Sequence, residues 1–458
     1  MTPAAARLDP AALAAGRKRA RATLVTGVAL GSTGHIAAVT VATLVAQDLL
    51  GSSTLAGAPG ATVVLGAALG AVLLSALMAQ RGRRLGLSLG YAVGVGGALL
   101  ATLAVLSRSF PLLLLGTLFI GFGNSSNQLS RYAAADMAPA AKRASAIGLV
   151  VWASTVGSVI GPWLVPIAGA LAMQAGLPML AGPYLVPVVF VGTAAVASFV
   201  FLRPDPYDLA DVDSISNVDV VVSKDPVVEI LRRPGVGAAI VALIAGQFVM
   251  TLIMTMTPLH MTQHGHDLGA VGLVLSGHTL GMFALSPLSG RLTERWGSVR
   301  TILLGSAVLG VSAVMAAVAP PDGGALLLIA LFLLGYGWNL GFVAGSTMLS
   351  ERLEIHERTR IQGAADALIW SAAAAASLGS GIVMAMAGYT ALAILGMGAV
   401  VVMAAVMRNY RREVAQDVRR GVADAAELLD VEGPAGLAHD ANANAHENAG
   451  AEPPSTAA

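Results

Sequence analysis

Four side chains in this sequence are spaced to act together. Met250 and Met254 stand four residues apart, and so do His278 and Met282, in the stretch QFVMTLIMTMTPLHMTQHGHDLGAVGLVLSGHTLGM. In a helix that spacing stacks each pair on one face, one turn apart. Thioether and imidazole together form a soft ligand set that suits Cu(I). If the two segments cross a membrane in opposite directions, the four form a ladder, with Met254 outermost, Met250 and His278 near the middle and Met282 innermost. Around the turn between them, Met256, His260 and Met261, with His264 and His266, could gather a cation before entry. The same histidines also read as ordinary solvent-facing residues, with Asp267 capping the next helix. A histidine at bilayer depth is costly and tends to line a path or pair with another group. His35, in Gly31-Ser-Thr-Gly34-His35, is a second such residue. It could donate a ligand, hydrogen-bond a substrate, accept a proton, or simply bond to a polar group of a neighbouring helix. Asp366 is the candidate proton site, or else the partner of Arg358 or Arg360. The strip Asn124-Ser-Ser-Asn-Gln128 suits hydrogen bonds between helices. Trp152, Tyr336, Trp338 and Trp370 could stack a planar ring.

These residues need a scaffold, and composition says which. Of 458 residues, 56% are hydrophobic and only 12% charged, against about 25% charged in soluble domains. Mean hydropathy is +0.74. Apolar runs of about 20 residues recur along the chain, each long enough to cross a bilayer. This excludes an ordinary soluble enzyme. No P-loop, nucleophile elbow or metallohydrolase cluster occurs either, so neither catalysis nor ATP-driven pumping is expected. The net charge is +1, with basic residues confined to particular loops, which gives no reason to expect a nucleic-acid partner. With no cysteine there is no disulfide framework and no thiolate site, and any soft metal falls to Met and His. Residues 1–22 carry Arg17, Lys18, Arg19 and Arg21 and lead straight into a full-length span, so no cleavable signal peptide is expected.

Segments of spanning length lie near 23–45, 57–79, 85–107, 109–130, 144–170, 184–203, 236–258, 268–290, 299–319, 324–348, 363–387 and 389–407. The expected architecture is an all-α membrane protein of about twelve transmembrane helices. Arginine and lysine occupy every second connection, while the intervening ones hold only Arg108. Both termini are therefore expected to be cytoplasmic. The acidic, turn-rich stretch 204–235 separates six helices from six. The expected organisation is an N-terminal arm (1–22), an N-terminal bundle (23–203), a cytoplasmic loop (204–235), a C-terminal bundle (236–407) and a tail (408–458). That tail opens as a surface helix and ends in a polar, Ala/Asn/Pro-rich stretch expected to be disordered. His439 and His446 within it read as solvated.

Between the eighth and ninth spans the chain reads Gly290-Arg291-Leu-Thr-Glu294-Arg295-Trp-Gly297-Ser-Val-Arg300. This resembles the G-x-x-x-D-R-x-G-R-[RK] signature of the major facilitator superfamily, with Glu294 where the family has Asp. The corresponding first-half loop, Arg81-Gly82-Arg83-Arg84, is a shortened relative without its acid. Gly157-Ser-Val-Ile-Gly161-Pro162 resembles the superfamily's GxxxGP packing motif. The resemblance covers about residues 20–410. It implies two six-helix halves, alternating access, and a gating loop at Gly290–Arg300 whose acid and arginines tie the cytoplasmic ends together. The pairing of MxxxM with HxxxM, 24 residues separating Met254 from His278, is similar to the signature of CcoA-like bacterial copper importers. That similarity implies a monomeric importer in the bacterial plasma (inner) membrane with copper as transported substrate, no resident cofactor, and a copper chaperone as a partner. The absence of cysteine departs from some members of that group. Riboflavin-type carriers are near relatives, so an organic solute carrier, for riboflavin uptake or for drug efflux by proton antiport, stands as the alternative.

Overall fold

Long apolar segments punctuated by proline and glycine become helices whose ends those residues set. The computed structural model describes residues 9–50, 55, 57–210, 226–266, 268–320 and 324–431, and no strand occurs among them. The first half comprises α1 (Pro10–Leu50), α2 (Ala58–Arg81), α3 (Arg83–Leu106), α4 (Phe110–Asp136), α5 (Arg143–Gln174) and α6 (Gly182–Phe201). After the short α7 (Val227–Arg232) come α8 (Pro234–Gln263), α9 (Leu268–Phe283), α10 (Ser286–Trp296), α11 (Ser298–Val318), α12 (Gly324–Glu351) and α13 (Ile355–Val431). Proline lies in the first turn of α2, α4, α6 and α10, where its missing N–H costs nothing. Gly82 separates α2 from α3 at φ 87°, ψ 165°, and Gly297 separates α10 from α11 at φ 81°, ψ 157°. The same left-handed residue thus makes the same one-residue turn in each half, a conformation that a Cβ would oppose.

Ten helices among the described residues are long and apolar enough to cross a membrane. Apolar side chains cover their outer surface, with Trp163 76%, Leu378 70% and Met386 82% exposed. An exterior of this kind belongs in lipid, and the chain is a multi-pass membrane protein. Several expectations need adjustment. The basic residues 17–21 belong to α1, which starts at Pro10, and not to a separate arm. The span expected at 268–290 is interrupted between α9 and α10. The segments expected at 363–387 and 389–407 lie in one long helix broken at Gly388, whose φ is 78°. Helices up to Met407 pack as one unit and a second unit begins at Arg408. Residues 211–225 of the expected inter-bundle loop, together with Asp267, His439 and His446, lie outside the described residues.

In the first half α1 packs on α5 and α6, while α4 packs on α2 and α3; in the second, α12 packs against α8, α9 and α11. The α1–α5 contact is made by the GxxxGP residues. A Cβ on Gly157 would lie 2.6 Å from the Thr33 nitrogen, and one on Gly161 2.9 Å from Ile36 Cβ. Only hydrogen fits there, so the helices approach backbone to backbone. The two halves meet where α5 packs on α10 and α12 packs on α4 and α5.

Candidate functional site

The connections α2–α3, α4–α5, α6–α7, α10–α11 and α12–α13 gather at one end of the molecule, here called the charged face. Arg83, 1% exposed, donates to Asp136 at 2.7 Å and to Gln362 of the other half at 2.8 Å. Arg358 approaches the same Asp136 carboxylate at 3.6 Å. Asp205 accepts from the backbone nitrogens of Arg83 and Arg84 at 3.0 and 2.8 Å. The acid missing from the first-half loop is therefore supplied by Asp136, from the end of α4, and by Asp205, from beyond α6. In the second-half loop Glu294 accepts from the Ser145 nitrogen of α5 at 3.1 Å and pairs with Lys142 at 3.4 Å. Gly290 lies against α5, where a Cβ would come within 2.8 Å of the Ala144 carbonyl oxygen. Arg291, Arg295, Gly297 and Arg300 are exposed.

Deeper in, Arg131 of α4 pairs with Asp366 of α13 at 2.5 Å, both side chains 3% exposed or less. Of the two readings of Asp366, this corrects the one that pairs it with Arg358 or Arg360. Arg358 is held by Asp136 and by the Leu353 carbonyl, leaving Asp366 to a partner on the opposite half. Arg131 also donates to the Tyr132 hydroxyl at 3.0 Å and to Ser346 Oγ at 3.2 Å. Its guanidinium lies 4.2 Å from the Tyr132 ring and 4.4 Å from that of Phe342. A buried cross-half pair of this kind, in which Asp366 Oδ1 takes the arginine and Oδ2 has no hydrogen-bond partner among the described residues, is a lock between the halves.

Above the lock the two halves differ in character. In the first half a narrow cleft between α1, α3, α4 and α6 is lined by His35, Tyr91, Asn124 and Asn127. The Tyr91 hydroxyl donates to Asn127 Oδ1 at 3.0 Å, and Asn127 Nδ2 donates to Asn124 Oδ1 at 2.9 Å. His35 Nδ1 is buried and has no hydrogen-bond partner among the described residues. The polar strip of α4 is thus divided. Ser125 and Ser126 donate to the carbonyls of Ala67 and Leu87 in neighbouring helices, whereas Asn124 and Asn127 border the cleft.

In the second half Trp338 stacks on Phe342 at 4.5 Å with 18° between the planes, and Phe283 meets Trp338 edge-on at 6.1 Å. Trp338 Nε1 donates to Gln247 Oε1 at 2.9 Å, and Gln247 in turn donates to Thr251 at 3.2 Å. One amide, one hydroxyl and three aromatic rings here share one patch.

The Met/His pairs sit on α8 and α9, which scarcely touch each other; both pack against α12. His278, 1% exposed, turns to α12, where its Nδ1 lies 2.9 Å from the Leu331 carbonyl oxygen. Because a carbonyl only accepts, Nδ1 carries the proton, and Nε2 keeps a lone pair with no hydrogen-bond partner among the described residues. Met250 is buried, Met254 and Met282 half-buried. Met282 sits at the interruption between α9 and α10. Its carbonyl accepts from Asn339 at 2.6 Å, while Asn339 also donates to Ser286 and accepts from Ser289. The His278 ring and the Met282 carbonyl thus both meet α12, and α8 packs on α12 on its own. At the far end His260 stacks on Tyr389 at 4.2 Å, Met261 is buried and Met256 half-buried. No cluster of three His, Asp or Glu suited to a metal occurs among the described residues. Sequence reasoning missed Arg131, Asp136 and Asp205. Each charge in or beside a long apolar segment was a usable signal.

The fold and the buried charge network define a helical carrier of the multi-pass membrane class. The Major Facilitator Superfamily profile matches residues 22–271 and 239–438, and the chain belongs to that family of secondary transporters. It is 38% identical over 374 residues to "Uncharacterized MFS-type transporter YddS" of Bacillus subtilis (strain 168), covering 80% of this chain and 85% of that protein. It is 32% identical over 374 residues to "Riboflavin transporter RfnT" of Brucella anthropi, covering 79% of this chain and 88% of that one. Among solved structures, the transporter FucP in the outward conformation aligns with TM-score 0.68 at 14% identity, over 85% of this chain and 98% of that one. A bacterial homologue of the iron transporter ferroportin aligns with TM-score 0.67 at 14% identity, over 86% and 99%. These structures share the fold. No enzymatic family is indicated.

Proposed function

We propose that this chain carries a planar, hydrogen-bonding organic solute across the bacterial plasma membrane by alternating access, with riboflavin as the first substrate to test. The observation that carries the reading is the Phe283–Trp338–Phe342 cluster with Gln247 bonded to it. Stacked rings beside an amide suit a flat heteroaromatic solute, not a soft ion. The kinship with a riboflavin transporter over 79% of the chain supports it. The carrier crosses the membrane twelve times: the ten long apolar helices, α4, and α13 counted as two around Gly388. By the excess of Arg and Lys at the charged face, that face and both termini are cytoplasmic. The Arg131–Asp366 lock then keeps the cytoplasmic side shut while the other side admits substrate, and Asp366 is the carboxylate whose protonation would release it.

Labelled riboflavin uptake into cells expressing the chain tests the reading. Wild-type uptake should saturate, and Trp338→Ala should raise the half-saturating concentration about tenfold, the value of a lost stacking contact. A second reading, copper import, rests on the unpartnered Nε2 of His278. Copper accumulation that His278→Ala abolishes, with no flavin uptake, would replace the first reading by the second.

A further inference from the structure

A cavity of about 370 Å³ opens at the charged face between the halves, lined among others by Arg17, Arg21, Lys142, Leu149, Pro287 and Arg291. Its walls are not one helix's surface. Arg17 and Arg21 come from α1, Lys142 from the turn before α5, and Pro287 and Arg291 from α10 of the other half. Some of this charge is already used: Arg17 donates to the Leu209 and Ala210 carbonyls, and Lys142 pairs with Glu294 at 3.4 Å. Arg21 and Arg291 are exposed, and neither pairs with a carboxylate among the described residues. Below the basic rim the lining is apolar, with Leu149 and Pro287 in it.

We propose that this cavity binds a phosphate-bearing anion, and that its occupancy holds the charged face closed. Cations from both halves converge on one space when the face shuts, and like charges brought together oppose that closure. An anion between them reverses the sign of the interaction. Arginine's planar fork favours a phosphate over a simple halide. The volume is in the range of small-molecule sites. The apolar floor accommodates the glycerol end of a phospholipid as readily as the rim accommodates a free phosphate. Basic pockets between transmembrane helices take lipid headgroups on this principle. The closing effect rests on the alternating-access reading; the binding does not.

The full-length protein in nanodiscs provides the test, with lipid and free anion as separate arms. Spin labels at Arg81→Cys and Glu354→Cys, both exposed at the charged face on opposite halves, report its opening in a chain that has no other cysteine. One arm compares phosphatidylcholine alone with phosphatidylcholine containing phosphatidylglycerol. The other adds inorganic phosphate at constant ionic strength. Bound phosphatidylglycerol is counted by native mass spectrometry and phosphate by calorimetry. Binding in either arm is expected to narrow the label distances to the closed population, and the arm that responds identifies the source. Arg21→Gln with Arg291→Gln should weaken that binding about thirtyfold, and Arg291→Gln alone several-fold, so the result survives if the double variant folds poorly. Binding that is absent in both arms, or unchanged in both variants, overturns the site. Binding without a change in label distance overturns the closing effect. If the labels report one fixed distance even with transported solute, alternating access itself has failed and the binding result stands alone.

Discussion

Neutralising Asp366 should open the charged face. Arg131 and Asp366 lie on different halves and are both buried, so their attraction exists only while the halves are together at that face. Asp366→Asn leaves Arg131 inside with its charge uncompensated. Breaking a buried pair by removing one partner costs about 3–5 kcal/mol. Arg131 keeps its bonds to Tyr132, Ser346 and the Gln128 carbonyl, and its place between two rings, so the low end applies. A penalty of about 3 kcal/mol borne by the closed state alone shifts the closed-to-open ratio roughly 150-fold. Ser75 is the place to read it. It is 2% exposed and packs where α2 meets Gly363 of the other half. Because the chain has no cysteine, Ser75→Cys gives a single labelling site whose maleimide rate follows the open population. That rate should rise by about two orders of magnitude in Asp366→Asn. It should fall back in Arg131→Met with Asp366→Leu, which removes both charges and leaves none stranded. A rate within threefold of wild type in Asp366→Asn would refute the lock, as would a double variant as open as the single one.

Other substitutions probe the scaffold around the site. Asn339→Leu strands the Met282 carbonyl at the interruption of α9 and α10, and should cost about 1–3 kcal/mol, read as a fall in thermal midpoint. Gly157→Val forces three carbons into the α1–α5 contact, where the Cβ alone would sit 2.6 Å from the Thr33 nitrogen; loss of folded protein on size-exclusion chromatography is the expected outcome. Gly290→Val meets the Ala144 carbonyl of α5 in the same manner, but only with the charged face shut. It should therefore speed Ser75→Cys labelling while leaving the thermal midpoint within a few degrees.

Much of the scaffold could be read from hydropathy, because a bilayer-spanning helix must be apolar along its length and its ends must be polar or turn-forming. Gly82 and Gly297 marked reversals that the backbone makes with positive φ, and Gly157 and Gly161 marked a close helix contact. The interruption after Met282 was signalled by Pro287, yet it falls within a run long enough to read as one span, and the residue that satisfies the freed carbonyl, Asn339, comes from another helix. Pairing was the least legible level. Asp366 had arginines nearby in sequence at 358 and 360, but its partner is Arg131, 235 residues away. The first-half loop looked incomplete because its acids, Asp136 and Asp205, arrive from other segments. Spacing placed Met250, Met254, His278 and Met282 on faces of their own helices. It could not show that α12 stands against both helices, since that depends on how six helices close into a bundle.

The position of α12 also ties the aromatic patch to the lock. Trp338 stacks on Phe342, Phe342 lies against the Arg131 guanidinium, and Arg131 holds Asp366. Each link is a direct contact, and the run crosses from one half to the other at Arg131. A close-packed interior does not let one member of such a run move alone. A ring that wedges against Trp338 must displace Phe342 or be excluded, and a displaced Phe342 removes one face of the guanidinium's cage. The ion pair to Asp366 and the hydrogen bond to Ser346 are then what holds Arg131 across the interface. No distant signal is needed between the aromatic patch and the ion pair: Phe342, which packs against Trp338, also packs against the Arg131 guanidinium.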